Sequence, residues 1–361
     1  MGILDTIITS QQTESLHKFN PVEIVRETLS MLKQRDGQIL LHRYGLEGKP
    51  VKTLAAIGQD HNLTRERVRQ IEKDLVKTLR KQSLKKESFA KTKDFLLNII
   101  ADHGRVIAEE NLLLYLNLKE PEEKNAVVFL LHLVEELENY LHENYKKSWV
   151  SVLFEEKFLH DFTSESKKII SAAGKPLPTE EFLKHFKQTE FFLGNQAELP
   201  DKVILNFLSL AVEIEKNVFG DWGLNIWKEI KPKDVGDKAY LVMKYRGKPE
   251  HYAAIADIIN KAGFDSRTAY KETVHNELIK DPRFILIGRG IYALAEWGYK
   301  PGVVADVIVE ILKNAKQPLS REEIISEVMK KRQVKKNTIL VGLSNKKLFK
   351  KAGKNSYALA E

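Results

Sequence analysis

The stretch Leu63 to Arg80, LTRERVRQIEKDLVKTLR, collects side chains that can read nucleic acid on one helix. The spacing predicts a helix starting at Thr64. Along it Val68, Ile71, Leu75 and Leu79 recur every three or four residues as a buried stripe, while Arg65, Glu66, Arg69 and Gln70 project from another side. Arginine pairs with guanine edges or phosphates, glutamine with adenine, and a carboxylate accepts from the cytosine amino group, so this outward set suits a major groove. Between Thr64 and Lys86 nine Lys or Arg stand against three acids, enough to anchor several phosphates. The same charges also fit a solvated helix in a small bundle, and spacing alone leaves both readings open.

Such a helix needs a scaffold. Thr53 is placed to cap a short preceding helix whose Leu54 and Ile57 face inward, Gly58 permits close backbone approach, and Asp60, His61 and Asn62 supply turn chemistry. The pattern is helix, turn, helix.

Residues 21 to 82 resemble region 4 of the sigma-70 family of bacterial sigma factors, through RDGQILLHRYGLEGKP followed by TLAAIGQDHNLTRERVRQIE. The TRERVRQIE string at its distance behind TLxxIG is specific, but covers about a sixth of the chain. The resemblance implies a helix-turn-helix in which Arg65, Glu66 and Gln70 face bases of a promoter element, with Thr64 among the DNA-binding residues. Arg67, Arg69 and Lys73 then meet backbone or a partner, with double-stranded DNA and core RNA polymerase as the implied partners. The sequence departs from the family at His61, usually a large apolar residue, and at Lys73-Asp74-Leu75-Val76, which replaces a more alanine-rich run. A complete sigma factor also carries a polymerase-clamp domain and an aromatic segment for unstacked bases. Only about twenty residues precede the resemblance, with one aromatic, Phe19, so self-sufficient promoter melting is not expected.

A chain of 361 residues with 43% hydrophobic content should hold two or more domains with substantial cores. There is no cysteine, which excludes disulfides and thiolate metal sites and fits a reducing cytoplasm, with the nucleoid as expected location. No apolar run approaches the ~20 residues of a membrane span, and the N-terminus has no signal-peptide pattern. The net charge of +8 is unevenly spread: +5 over residues 1 to 90, −8 over 91 to 230, +3 over 231 to 297 and +8 over 298 to 361. Phosphate repels the acidic middle, which is expected to touch protein or space the basic ends apart.

Two segments near the C-terminus, GRGIYALAE (288 to 296) and GKNSYALAE (353 to 361), repeat at an offset of 65 residues. Each closes a similar series: an apolar helix, a turn with Lys and Pro (GKPEH at 247, AKQPLS at 315), a helix (Tyr252 to Lys261; Arg321 to Lys331), a third helix, and a strand pair. That is the layout of a winged helix. Fainter versions run through GKPLPTEEFLKHF (174 to 186) with the Trp-bearing 217 to 224, and through HGRVIAEENLLLYL (103 to 116) with 144 to 149. The expected fold is mainly α: an N-terminal segment (1–20), a helix-turn-helix domain (21–90), then tandem winged-helix-like units with short β-hairpin wings at 91–159, 160–234, 235–299 and 300–361.

Residues 238 to 299 resemble the HARE-type winged helix-turn-helix, which is similar to the N-terminal domain of the RNA polymerase delta subunit, through GKPEHYAAIADII, the helix with Thr273, Val274 and Leu278, and RFILIGRGIYAL. In the last piece Phe284, Leu286, Ile291 and Leu294 supply apolar faces and Gly288-Arg289-Gly290 a tight turn, which offers Arg289 to phosphate or minor groove, or simply to water. The last unit is the most basic. Ser320 is placed to cap a helix with Glu323 at its third position, and Asn337 to Lys346 is the expected third helix. Lys335, Lys336, Lys346 and Lys347 gather around that position, where they can anchor backbone or line a solvated surface.

Catalytic patterns are thin. There is no Walker-type loop, Gly288-x-Gly290 lacks the third glycine of a dinucleotide site, and no HxxxH or HExxH pair exists. His132 and His142 suit packing or surface better than metal ligation. The pairs Glu122-Glu123, Glu135-Glu136 and Glu180-Glu181 suit helix surfaces or first turns, and Trp149, Trp222, Trp227 and Trp297 suit hairpins and cores. No enzyme, cofactor or metal is expected. The sequence points to a DNA-binding transcription regulator acting with bacterial RNA polymerase. The rival is a delta-like accessory protein that docks through its winged helices and touches DNA little.

Overall fold

The computed structural model describes residues 19–299, 304–315, 317–331, 334, 336–353 and 355–360. The chain is mainly helical with small antiparallel sheets and divides into two compact units near residue 215.

The first unit opens with four helices: α1 (Pro21–Leu29), α2 (Gln34–Tyr44), α3 (Leu54–His61) and α4 (Arg65–Ser83). Next come α5 (Glu87–Asp102), β1 (Val106–Ala108), α6 (Glu109–Tyr115), α7 (Pro121–Leu133), β2 (Leu137–His142) and β3 (Tyr145–Ser151), the strands forming a sheet of order β1-β3-β2. The expected division near residue 91 falls inside a shared core. Val25, Leu29, Leu40, Leu41 and Leu79 bury with Phe89, Leu96, Phe129, Leu130 and Trp149 in one cluster. The cause is α7, which is apolar nearly all round: Ala126, Val127, Phe129, Leu130, Leu131 and Leu133 are all buried, so it requires cover on both sides.

The helices α8 (Glu156–Ala173), α9 (Thr179–Phe186), α10 (Glu190–Gly194) and α11 (Asp201–Leu210) continue the unit, and the hairpin β4 (Ile214–Lys216) and β5 (Trp222–Leu224) follows where the two units divide. The α11 helix buries Val203, Ile204, Phe207 and Leu208. Its Asn206 Nδ2 donates to the carbonyls of His103 and Val106 at 2.7 and 2.6 Å, tying it to the turn before β1.

In the second unit the order of 87–151 recurs twice. It runs α12 (Val235–Arg246), β6 (Glu250–His251), α13 (Tyr252–Ala262), α14 (Lys271–Lys280), β7 (Phe284–Gly288) and β8 (Ile291–Leu294), then α15 (Val304–Ala315), β9 (Leu319–Ser320), α16 (Arg321–Lys331), α17 (Lys336–Leu343), β10 (Phe349–Lys351) and β11 (Ser356–Leu359). In each the last strand lies between the other two. The repeated Tyr-Ala-Leu-Ala segments are these central strands: Tyr292 pairs with Glu250 and Tyr357 with Leu319.

Three local expectations change. The α17 helix ends at Leu343 instead of reaching Lys346, because the Ser344 hydroxyl donates back to the Val341 carbonyl at 2.6 Å and Asn345 Oδ1 accepts from the Lys347 N–H at 3.1 Å. Glu135 and Glu136 lie in the turn between α7 and β2, not on a helix, where Glu136 pairs with Lys93. Leu286 is 49% exposed while Ile285 and Ile287 bury on the opposite face of β7 with Ala293, so the alternation carries apolar residues on both faces of that hairpin.

Candidate nucleic-acid interface

The helix-turn-helix is assembled from caps and one close approach. The Thr53 hydroxyl accepts from the Ala56 N–H at 3.2 Å and starts α3, and the Thr64 hydroxyl accepts from the Arg67 N–H at 3.1 Å and starts α4. Between them Asn62 takes the left-handed conformation, φ 53°, which turns the chain. The turn packs directly on α3: a Cβ on Gly58 would sit 2.5 Å from the Leu63 carbonyl oxygen. Ile39, Ile57 and Val68 bury together under Leu54, Leu63 and Ile71, which fixes how α4 crosses α3.

The C-terminal half of α4 is held by different means. Leu79 is buried and Leu75 and Val76 pack on the shared core, so the run that departs from the alanine-rich family pattern is the face that meets the next element. Arg43 Nε donates to both oxygens of Glu72 at 3.1 and 3.2 Å, joining α2 to α4. Arg80 Nε donates to the His132 carbonyl at 3.0 Å, joining α4 to α7. The His132 ring lies edge-on between Tyr44 and Trp149, with centroids 5.4 and 4.8 Å away, and burial together with nearby Lys147 lowers its pKa to about 4. It is a packing group. Burial and the neighbouring Glu72 raise the Tyr44 hydroxyl well above the usual phenol range.

Opposite the buried side, Glu66, Gln70, Lys73 and Lys77 fall on one line at i, i+4, i+7 and i+11, all exposed, flanked by exposed Arg65, Arg67 and Arg69. Two pairs organise this surface. Arg69 grips Glu66 with both nitrogens, at 2.6 and 2.9 Å, and this hydrogen-bonded pairing holds the Glu66 carboxyl below its ordinary pKa. Arg67 Nη1 donates to Gln70 Oε1 at 3.4 Å. Arg65 and Lys73 make no side-chain hydrogen bond or ion pair with other described residues. A ligand therefore meets Arg65, Lys73 and Lys77 directly and reaches Glu66 and Gln70 by exchanging partners. Beside the line, Tyr44, Arg69, Lys73, Lys77, Arg80 and Lys81, with Glu72 and Glu135, line a groove of about 530 Å³. Its basic rim was countable in the sequence; its acidic wall, Glu135 brought up by α7, was not.

The other predicted contacts are separate from α4 in the chain. Arg289 is exposed at the tip of a two-residue turn, where Gly290 has φ 68° and its missing Cβ leaves room for His251 and Tyr252. Lys336 is exposed at the first position of α17, and Lys346 and Lys347 are exposed in the turn before β10. Lys335 lies outside the described residues.

One discriminating feature was not legible in the sequence: which of the repeated third helices are open. In 87–151 that helix, α7, is buried against α1, α2 and α4. By contrast α14 buries only Val274 and Leu278, and α17 only Ile339 and Leu343, leaving one face of each to solvent. No helix among the described residues is long and apolar enough to cross a membrane.

Comparison with known proteins agrees with this geometry. The family model for sigma-70, region 4 matches residues 28–81. A principal sigma factor of RNA polymerase from Streptomyces viridifaciens is 41% identical over 59 residues, covering 16% of this chain and 18% of that protein. The sigma factor SigA1 of Synechococcus elongatus is 47% identical over 58 residues, 16% of this chain and 14% of that protein, and SigA of a Nostoc species is 45% identical over 58 residues, 16% and 15%. The chain thus spans less than a fifth of the length of these curated relatives. Residues 28–81 match sigma-70 region 4 and fold as a helix-turn-helix; the matched stretch ends two residues before α4 does.

Proposed function

We propose that this protein is a sequence-specific DNA-binding transcription regulator that acts with bacterial RNA polymerase. In this reading Arg65, Glu66 and Gln70 read a promoter-like duplex, and Thr64, Arg67, Arg69 and Lys73 meet its backbone. The observation that carries it is the solvent face of α4, which leaves Arg65 and Lys73 without ion pairs among the described residues, on a helix braced at both ends. The four later repeats are winged-helix units, the one at 238–299 of HARE type and similar to the polymerase delta subunit N-terminal domain. Arg289, Lys336, Lys346 and Lys347 anchor phosphate, and the acidic units contact protein. The protein works in the cytoplasm on the nucleoid and without enzymatic chemistry.

The rival reading, a polymerase-docking accessory protein, needs an open protein-binding surface on the helix-turn-helix domain. The apolar sides of α1 and α2 are covered by α7 through Val25, Leu29, Leu40, Leu41 and Phe129, which favours DNA as the ligand of the face that stays open. Duplexes selected by the full chain supply the test, titrated by fluorescence anisotropy. Arg65→Ala and Gln70→Ala should each weaken the selected duplex by roughly ten- to a hundredfold, with much smaller effects on random duplex. Unchanged affinity and preference would remove the recognition-helix assignment.

A further inference from the structure

We propose that α17 in the C-terminal repeat is a second base-reading helix, so that the DNA target has two sequence elements and not one element plus a non-specific anchor. The helix turns Ile339 and Leu343 into the core, and at 100° per residue the opposite face carries Asn337, Thr338 and Val341. All three are exposed, Val341 at 71%, the most exposed large apolar side chain among the described residues of this repeat. Asparagine can bond both adenine N6 and N7, the threonine hydroxyl can give or accept at a base edge, and a valine methyl packs on the thymine methyl group. A solvent-facing valine beside one amide and one hydroxyl has a use in such a groove that it lacks in water.

Cations frame this centre. Lys336 stands at the start of the helix and Lys346, Lys347 and Lys351 follow its end, all exposed. From Val328 to Ala360 there are ten Lys or Arg and no Asp or Glu, so nothing on this stretch repels phosphate. A helix of eight residues is about 12 Å long, close to the ~12 Å width of the major groove, which lets its lysine-bearing ends meet the two backbones while its middle meets bases. The equivalent helix α14 is open but mixed in sign, with Glu272 beside Lys271 and Lys280. In α7 the equivalent face is spent on packing. This inference concerns a helix far from α4 in the chain, and base reading by α17 stands or falls independently of α4.

Selection of duplexes from a random pool by the full chain tests it, repeated with Asn337→Ala/Thr338→Ala/Val341→Ala, with Arg65→Ala/Gln70→Ala, and with Lys346→Ala/Lys347→Ala. The substituted side chains are exposed, and circular dichroism and melting checks confirm that each variant folds. The expected wild-type result is two information-bearing blocks. The α17 triple variant should lose one block and bind the two-block duplex about tenfold or more weakly while keeping the other block. The Arg65/Gln70 variant should do the converse, and the lysine variant should weaken all duplexes alike and leave both blocks. A triple variant that enriches the wild-type motif, or a wild-type motif consisting only of the block that Arg65→Ala/Gln70→Ala erases, overturns the proposal. A motif consisting only of the block erased by the triple variant upholds base reading by α17 but overturns the two-element target and the reading of α4.

Discussion

Acidification should loosen the brace behind α4, and His132 sets the size of the effect. Its imidazole is enclosed by Tyr44 and Trp149, and its pKa falls from an ordinary 6.5 to about 4 through burial and nearby Lys147. A depressed histidine pKa means that the unfolded chain binds a proton the folded protein refuses. The stability is therefore fully present above pH 6.5 and is lost as pH falls from 6.5 toward 4, with no further loss from this group below that. The full effect is ~3 kcal/mol, and at pH 5 it is ~2 kcal/mol, a large share of a domain's net stability. Carboxylates titrate in the same range, so the assay is a comparison. Urea unfolding of the wild type and of His132→Leu is measured at pH 7.5 and pH 5, with hydrogen exchange at the α7 amides identifying the transition of this core. Leucine keeps the apolar contact and the Arg80 bond, which uses the backbone carbonyl. The wild type should lose ~2 kcal/mol more than the variant on going to pH 5. Equal losses would refute the burial argument. Because Arg80 and Leu79 join α4 to this core, DNA affinity of the wild type should fall over the same window and that of the variant less.

Gly58→Ala should destabilise the helix-turn-helix although alanine is the better helix former by ~1 kcal/mol. The new Cβ would meet the Leu63 carbonyl oxygen at 2.5 Å, and a backbone atom cannot give way cheaply, so a net loss of ~1–3 kcal/mol and a lower melting temperature are expected; a rise in melting temperature would contradict the close approach. Asn206→Ala strands two carbonyls that now share one amide and should cost roughly 2–4 kcal/mol in urea unfolding, where a cost below that of an ordinary surface substitution would show the bonds to be idle.

The helix-turn-helix was legible because its determinants are local. Caps at Thr53 and Thr64, the turn at Asn62 and the period of Val68, Ile71, Leu75 and Leu79 are set within about thirty residues. The Ser320–Glu323 capping box was readable for the same reason, the Glu323 N–H donating to Ser320 Oγ at 3.2 Å and the Ser320 N–H to Glu323 Oε2 at 2.8 Å. The end of α17 was misplaced because Ser344 and Asn345 terminate it by side-chain bonds that compete with helix continuation, a balance that spacing does not register. The shared core between α1 and α7 was also invisible, since two amphipathic patterns say that each must be covered but not by what.

By itself the sequence determined where α3, α4, α13 and α16 begin, which side of α4 is apolar, and which residue types stand on the other side. It also determined the basic ends, the acidic middle and the repeated closing strand. Only the tertiary structure decided which helices remain available. The recurring order presents its third helix to solvent in α14 and α17 and buries it in α7, and α4 itself spends Leu75, Val76 and Leu79 on a neighbour while leaving Arg65 and Lys73 exposed. Helical periodicity is a property of adjacent turns, whereas burial depends on which distant surface arrives, here an α7 with an apolar face to spare.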